Sequence, residues 1–318
     1  MSGTRNLRNN VGTRDCSRSL LQILCAQKTG LKICHLNAQS ICNKMDEFSY
    51  IFEKSGVDVI CLSETWIPYN TNFNIFNLNG YNTFRADRLN HGGGVAMFIK
   101  SGIKSRFIAK SDPQSPIEYL FVELSSGNNK ILCGSVSRPP RDANRRVIDM
   151  QPFLIFIEDL MLGYSNIILT GDFNWNVLND DTLVSQMEGL GLSTPNKTIP
   201  THYSQTNSTL LDLFFVSNLD KVLLYDQISV PAFSRHDLIF LAFDFSLNPT
   251  ENTVSFRNFK NVDMNGLMAE LSIIDWDTVF CLPGVEEQAT FIEESIRYLF
   301  NKFVPIVTKT FKTNEKPW

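Results

Sequence analysis

An α/β fold is what this sequence predicts, on three observations: it opens β-α-β, it continues through short apolar strands, and polar residues recur where those strands end. Leu31–Asn37 alternates and reads as the first strand. Asn43–Lys54 follows with Met45, Phe48, Ile51 and Phe52 at helical spacing, closed by Gly56. Val57–Leu62 is a short apolar run, read as a central strand beside the first. Tyr81–Arg85, Gly94–Ile99, Glu118–Leu124 and Ile131–Val136 are strand-like and punctuated by Gly and Asn-Asn. Met150–Leu162 is an apolar helix candidate, Asn166–Thr170 a buried strand and Asp181–Gly189 a short helix. Leu210–Val216 and Leu238–Phe245 are the last strands. Beyond about residue 248, Val262–Leu271 and Glu286–Phe303 read as amphipathic helices without accompanying strands.

Composition bounds the rest. A chain of 318 residues with 43% hydrophobic and 19% charged content, including 24 Phe, can bury a large core. The net charge of −4 excludes a general polycation, so any nucleic-acid site is a local patch. Residues 1–30 carry five basic residues against Asp15, a net +4, which leaves −8 on the remainder. That segment reads as a basic leader, 31–246 as the main domain and 247–318 as a helical tail. Seven cysteines without a CxxC pair fit a reduced intracellular protein better than a disulfide scaffold or a zinc site. No window reaches membrane-spanning apolar length; around Phe153–Thr170 the run is broken by Glu158 and Asp159.

The strand-end residues carry the chemistry. They are Asn37, Glu64, Asp172 with Asn174, Asp212, and His236 with Asp237. One such residue is ordinarily a cap or turn residue, but a set of them at five separate strand ends marks where α/β proteins assemble sites. Oxygen donors such as Glu64 and Asn37 suit a hard divalent cation. Asp172 can orient or deprotonate a water, and Asn174 can fix the water or phosphate. His236, held by Asp212, can donate to a phosphate as charge builds there. Together they suggest phosphodiester hydrolysis.

Asn37, Ser63-Glu64-Thr65, Gly171-Asp172-Phe173-Asn174, Leu211-Asp212-Leu213-Phe214 and Ser234-Arg235-His236-Asp237 occur in the order typical of the endonuclease/exonuclease/phosphatase superfamily, which the chain resembles. Leu36-Asn37-Ala38-Gln39-Ser40, Glu64-Thr65-Trp66, Arg85-Ala86-Asp87-Arg88, Gly92-Gly93-Gly94, Arg138-Pro139-Pro140 and Ser208-Thr209-Leu210-Leu211-Asp212 look like the apurinic-endonuclease-type domain of jockey-like non-LTR retrotransposons. The resemblance implies a DNase-I-like four-layer sandwich, two packed mixed sheets flanked by helices. It implies Mg²⁺ or Mn²⁺ at Asn37 and Glu64, and catalysis by Asp172, Asn174, Asp212 and His236. It also implies nicking of DNA to give a 3′-hydroxyl that primes reverse transcription. The implied partners are DNA, element RNA and a reverse transcriptase domain beyond Lys316-Pro317-Trp318, with no membrane, at nuclear and cytoplasmic locations.

Two positions depart from the family pattern: Ser137 stands where Tyr usually contacts the reacting phosphate, and Arg235 where Asp usually supports the metal. Arg235 places a cation near the expected cation unless it points to solvent or DNA. These two changes leave open a decayed copy that keeps only fold and DNA binding, and a phosphatase-type member of the superfamily is a further alternative. Arg85, Arg88 and Arg138 stand beside the motifs and suit phosphate contacts, with surface salt bridges the plainer reading. Lys100, Lys104 and Arg106 read as a solvated basic loop around Gly102, and His35 as structural.

Overall fold

The computed structural model describes residues 29–53, 55–71, 76–89, 92–140, 147–231, 233–247 and 252–311. The expected basic leader falls almost wholly, and Lys316-Pro317-Trp318 entirely, outside the described residues.

The opening is β1 (Leu31–Asn37), α1 (Met45–Phe52) and β2 (Val59–Ser63), and the two strands are parallel neighbours. Parallel pairing needs a crossover of this kind. Then come β3 (Tyr81–Ala86), β4 (Val95–Lys100), β5 (Lys104–Lys110), β6 (Glu118–Ser126) and β7 (Asn129–Ser137). A second crossover, α2 (Gln151–Met161), leads to β8 (Ile167–Asp172), which runs parallel to β7. The domain continues through α3 (Thr182–Gly189), β9 (His202–Tyr203), β10 (Ser208–Thr209), β11 (Asp212–Val216), β12 (Val222–Ile228) and β13 (Leu238–Phe243). One six-stranded sheet has the order β12-β13-β1-β2-β4-β3, and one five-stranded sheet β11-β8-β7-β6-β5. Both are mixed, each with one parallel pair.

Strand periodicity decides which side chains meet between the sheets. Leu31 and Ile33, Val59 and Cys61, Leu120 and Val122, Ile131 and Cys133, Ile168, Phe214 and Val216 form the inter-sheet core. The alternate residues face outward: Cys34, Leu36, Ile60 and Leu62 pack with Phe48, Ile51 and Phe52 of α1. On the far side, Leu132, Val136, Leu169 and Phe215 pack with Phe153, Leu154 and Ile157 of α2 and Leu183, Val184 and Met187 of α3. The result is the expected four layers, helix–sheet–sheet–helix.

Following the inward phase to the strand ends gives the site. Beyond the apolar pairs it continues through His35 and Asn37 on β1, Ser63 on β2, Thr170 and Asp172 on β8, and Ser135 and Ser137 on β7, all buried. Glu118 and Asp212 open β6 and β11 at the same end, because those strands run the opposite way: Glu118 pairs with Ser137 and Asp212 with Asp172. One edge of the sandwich is therefore polar where the rest is sealed.

Two strands differ from expectation. The basic run around Lys104 and Arg106 is edge strand β5, mostly exposed, and β12, an edge of the other sheet, is half-buried except at Leu223 and Asp226, which are exposed. Edge strands have a neighbour on one side only and less cover on their faces, so they lack the continuous apolar run that marks inner strands buried on both faces. Residues 249–318 form a separate compact unit. It contains α4 (Met264–Ile273), α5 (Thr278–Cys281) and α6 (Val285–Phe303), in line with the helical tail, and also an antiparallel pair, β14 (Asn252–Arg257) with β15 (Ile306–Phe311). The pair joins segments from the two ends of the unit, so no local turn announces it. Among the described residues no helix is long and apolar enough to cross a membrane.

Candidate active site

Asn37, the last residue of β1, links two carboxylates. Its Nδ2 donates to Glu64 Oε1 at 2.9 Å and to Asp172 Oδ2 at 2.8 Å, while Oδ1 accepts the Gln39 N–H at 3.1 Å. Glu64 follows β2 in a left-handed conformation, φ 50°, and Asn174 shares that region at φ 45°. Such backbones are costly for residues with a Cβ and collect at functional sites. Asn174 also donates its N–H to Asp172 Oδ1 at 2.9 Å, so both oxygens of Asp172 are oriented.

Asp212 is wholly buried. Its Oδ2 lies 2.8 Å from His236 Nδ1 and accepts the Thr201 hydroxyl at 2.8 Å. Burial works against its ionisation, but the His236 ring and its hydrogen bond outweigh that and hold the Asp212 carboxyl below the usual range. Burial likewise opposes protonation of His236, yet the Asp212 carboxylate and its hydrogen bond, with Asp172 and Glu64 beyond, push the imidazole up to about 9. Burial and the Asp212 charge push the neighbouring Asp172 up to about 7, against the pull of His236 and the Asn174 and Asn37 donors. The site thus separates its acids: Asp212 is the anion, His236 the cation, and Asp172 is poised near neutrality.

The residues present fit a hard divalent cation. Asp172, Asp212 and His236 can bring donor atoms within 4.8 Å of one another. Asp212 and His236 are already bonded to each other, however, and a protonated imidazole is no ligand. The oxygen-rich corner is Glu64 and the Asn37 amide beside Asp172. Positive charge at that corner would relieve the burial that holds Asp172 near neutrality.

Two buried groups were not singled out as site residues from the sequence. His35 is inward-facing, with Nδ1 3.7 Å from Asp212 Oδ1 and Nε2 3.2 Å from Ser63 Oγ; burial lowers it to about 4, so the ring is neutral. Glu118 opens β6 in the inward phase and is 2% exposed. Its phase with Leu120, Val122 and Leu124 was the available signal.

The three arginines need correction or refinement. Arg138 is 3% exposed, with its guanidinium bonded to the carbonyls of Ile148, Phe173 and Asn174 and lying 5.1 Å from the Trp175 ring centroid. Arg85 is 4% exposed and donates to Thr71 O at 2.8 Å beside Asp87. Both are turned to interior acceptors rather than to a backbone phosphate, because a buried guanidinium needs local partners. Arg88 is partly exposed and pairs with Glu118 at 3.1 Å. Ser137 is buried at the end of β7 beside Glu118, whose carboxyl burial pushes up to about 7 against the pull of Arg88, the Gly94 N–H and the Ser137 hydroxyl. Arg235 is exposed; its backbone N–H donates to Gln39 Oε1 at 3.1 Å. The His202 ring lies tilted against that of His236, centroids 4.6 Å apart.

A sandwich of two mixed sheets with an acid–imidazole pair and an oxygen-donor corner at one edge defines a phosphoesterase class, and the chain belongs to the endonuclease/exonuclease/phosphatase family, whose profile matches residues 34–236. Solved structures share the DNase-I-like fold. An endonuclease/exonuclease/phosphatase family protein from Leptotrichia buccalis is 16% identical with a TM-score of 0.55, covering 68% of this chain and 100% of its own. The endonuclease domain of TRAS1, a telomere-specific non-LTR retrotransposon, is 16% identical with a TM-score of 0.53, covering 68% and 98%. The Neisseria 3′ phosphatase NExo, bound to a product DNA hairpin, is 14% identical with a TM-score of 0.52, covering 68% and 100%. No curated protein matches the chain in sequence.

Proposed function

We propose that this chain is a divalent-metal-dependent DNA endonuclease that nicks target DNA to leave a 3′-hydroxyl for target-primed reverse transcription. The observation that carries the reading is the meeting, at one polar edge, of the Asn37–Glu64–Asp172 cluster with the Asp212–His236 pair. The ordered motifs of a non-LTR endonuclease support the retrotransposon assignment, and the fold shared with the TRAS1 domain is consistent with it. Element RNA and a reverse transcriptase domain are the partners this reading carries, with action in nucleus and cytoplasm.

Asp172, poised near neutrality and oriented through both oxygens, takes a proton from the attacking water. His236 is protonated and donates to a non-bridging phosphate oxygen as negative charge develops, while Asp212 keeps the imidazole charged and fixes its tilt. The P–O3′ bond breaks as the water oxygen bonds to phosphorus, and O3′ leaves with the bonding pair and takes a proton from solvent to become the 3′-hydroxyl. A cation held by Glu64 and Asn37 would supply Lewis acidity for the phosphate and the leaving oxygen.

One observation favours a second reading, a decayed copy that binds DNA without cutting it. Ser137 lacks the reach of the family Tyr, and its hydroxyl interacts with Glu118. Nicking of supercoiled plasmid by the purified chain, with Mg²⁺ and with chelator, tests both. Metal-dependent nicking that disappears in Glu64→Ala and in His236→Ala is expected. DNA binding without cleavage supports the decayed copy, and phosphate release without nicking supports a phosphatase.

A further inference from the structure

Glu118 is a carboxylate at 2% exposure outside the catalytic set, and such groups persist only when paired. It lies on the five-stranded sheet, where the Ser137 hydroxyl meets it, yet its ion-pair and backbone partners belong to the β3–β4 connection of the other sheet. Oε1 is 3.1 Å from Arg88 Nε, and Oε2 accepts the Gly94 N–H at 2.7 Å. Gly93 and Gly94 have φ of 71° and 88°. A Cβ on Gly93 would lie 2.3 Å from Glu118 Oε1, so the close approach of this carboxylate adds to the positive φ in favouring glycine there.

The carbonyls of the same two glycines hold the segment after β2. Gly93 O accepts the Trp66 N–H at 2.8 Å, and Gly94 O accepts the Thr65 N–H at 3.2 Å. On the other side, Glu64 O and Thr65 O accept the N–H groups of Ser40 and Ile41 at 2.9 and 3.0 Å. Glu64 lies between these restraints in its left-handed conformation, which a residue with a Cβ keeps only when its surroundings impose it.

We propose that Glu118 is a positioning residue: its carboxylate anchors the Gly93–Gly94 turn across the two sheets, and the turn holds the Thr65–Trp66 backbone so that Glu64 is presented to the site. The role assigned to Glu64 rests on the metal-dependent reading above, whereas the backbone linkage stands without it.

The test measures amide hydrogen exchange of the metal-free chain and its Glu118→Ala and Glu118→Gln variants, followed by Mn²⁺ titration monitored by electron paramagnetic resonance. Glu118→Ala is expected to speed exchange at Thr65 and Trp66 by about tenfold or more while β8 amides keep their protection, a local opening rather than global loss. Its Mn²⁺ affinity is expected to fall by about 10–100-fold, the usual effect of removing a support behind a ligand. Glu118→Gln keeps an acceptor for Gly94 and loses the charge toward Arg88, so exchange at Thr65 and Trp66 is expected to rise only about threefold. Parental exchange at Thr65 and Trp66 in Glu118→Ala overturns the proposal. Should that variant fail to fold, parental exchange in Glu118→Gln overturns it equally. A parent chain that binds no Mn²⁺ defeats the metal-dependent reading and leaves the exchange measurement to decide Glu118.

Discussion

Asp212 Oδ2 lies 2.8 Å from His236 Nδ1, and both residues are buried beside Asp172. The carboxylate therefore acts on the imidazole at close range, where solvent screens it little. Asp212→Asn keeps the shape and removes the charge. We expect the His236 titration, followed by NMR, to move down from about 9 toward or below the ordinary histidine value. Plasmid nicking should fall by roughly 10²–10⁴-fold, the range for loss of a positioned proton donor. Full activity in Asp212→Asn would remove His236 as that donor.

The pH dependence follows from the same pair. His236 has a folded value raised above its unfolded one, so its stabilisation is complete below about 6.5 and disappears as pH rises through about 9. The displacement corresponds to roughly 3 kcal/mol, counted once for the His236–Asp212 interaction. Asp172 is also raised, to about 7, and adds a loss of stability as pH climbs from 3.8 toward 7 in the metal-free chain. Urea unfolding of the metal-free chain should therefore show stability decreasing between pH 6 and pH 10. Nicking should fail along the alkaline limb as His236 loses its proton. A stability curve that rises between pH 7 and pH 10 contradicts the His236 assignment, and one that rises between pH 4 and pH 7 contradicts that of Asp172.

Arg138 ties the end of β7 to the segment after β8 through the Ile148, Phe173 and Asn174 carbonyls. Removing a buried guanidinium leaves those acceptors without donors, at about 1–3 kcal/mol for such a group. Arg138→Ala should therefore lower the unfolding midpoint in urea and disturb Asn174, with Arg138→Lys a poor rescue because one ammonium cannot reach three carbonyls in a planar fork. DNA affinity of the folded fraction should be unchanged. A selective loss of DNA affinity at normal stability would restore the phosphate-binding role expected from the sequence.

The inner strands and the helices were legible because their periodicity is dictated by burial on both faces: the β1-α1-β2 opening and the run into Asp172 fell where the apolar pattern put them. The grouping of Asn37, Glu64, Asp172, Asn174 and Asp212 with His236 follows from the same logic, since strand ends at one edge converge. What stayed hidden depends on partners far along the chain. Arg85 and Arg138 carry the residue type of a phosphate contact, and only tertiary packing reveals that Arg138 meets interior carbonyls and Arg85 the Thr71 carbonyl and Asp87. Glu118 is one acid in an apolar strand until the β3–β4 turn is placed against it. The β14–β15 pair joins residues from opposite ends of its unit, beyond the reach of any local pattern.

Arg235 is the departure whose consequence the structure changes most. A cation in place of an acid beside the metal corner implies repulsion, but Arg235 is exposed, while the neighbouring His236 is buried. Being exposed, the guanidinium is screened by water and free of the burial that would press it on the metal corner, and its forked donors suit a DNA phosphate under the endonuclease reading proposed above. Arg235→Ala should weaken DNA binding at low salt and lower the slope of log affinity against log salt by about 1, the signature of one lost phosphate contact. Mn²⁺ affinity without DNA should stay within about twofold, since the screened charge of an exposed side chain adds little. A marked gain in Mn²⁺ affinity with an unchanged salt slope would show instead that Arg235 acts against the cation, and would count toward the decayed copy.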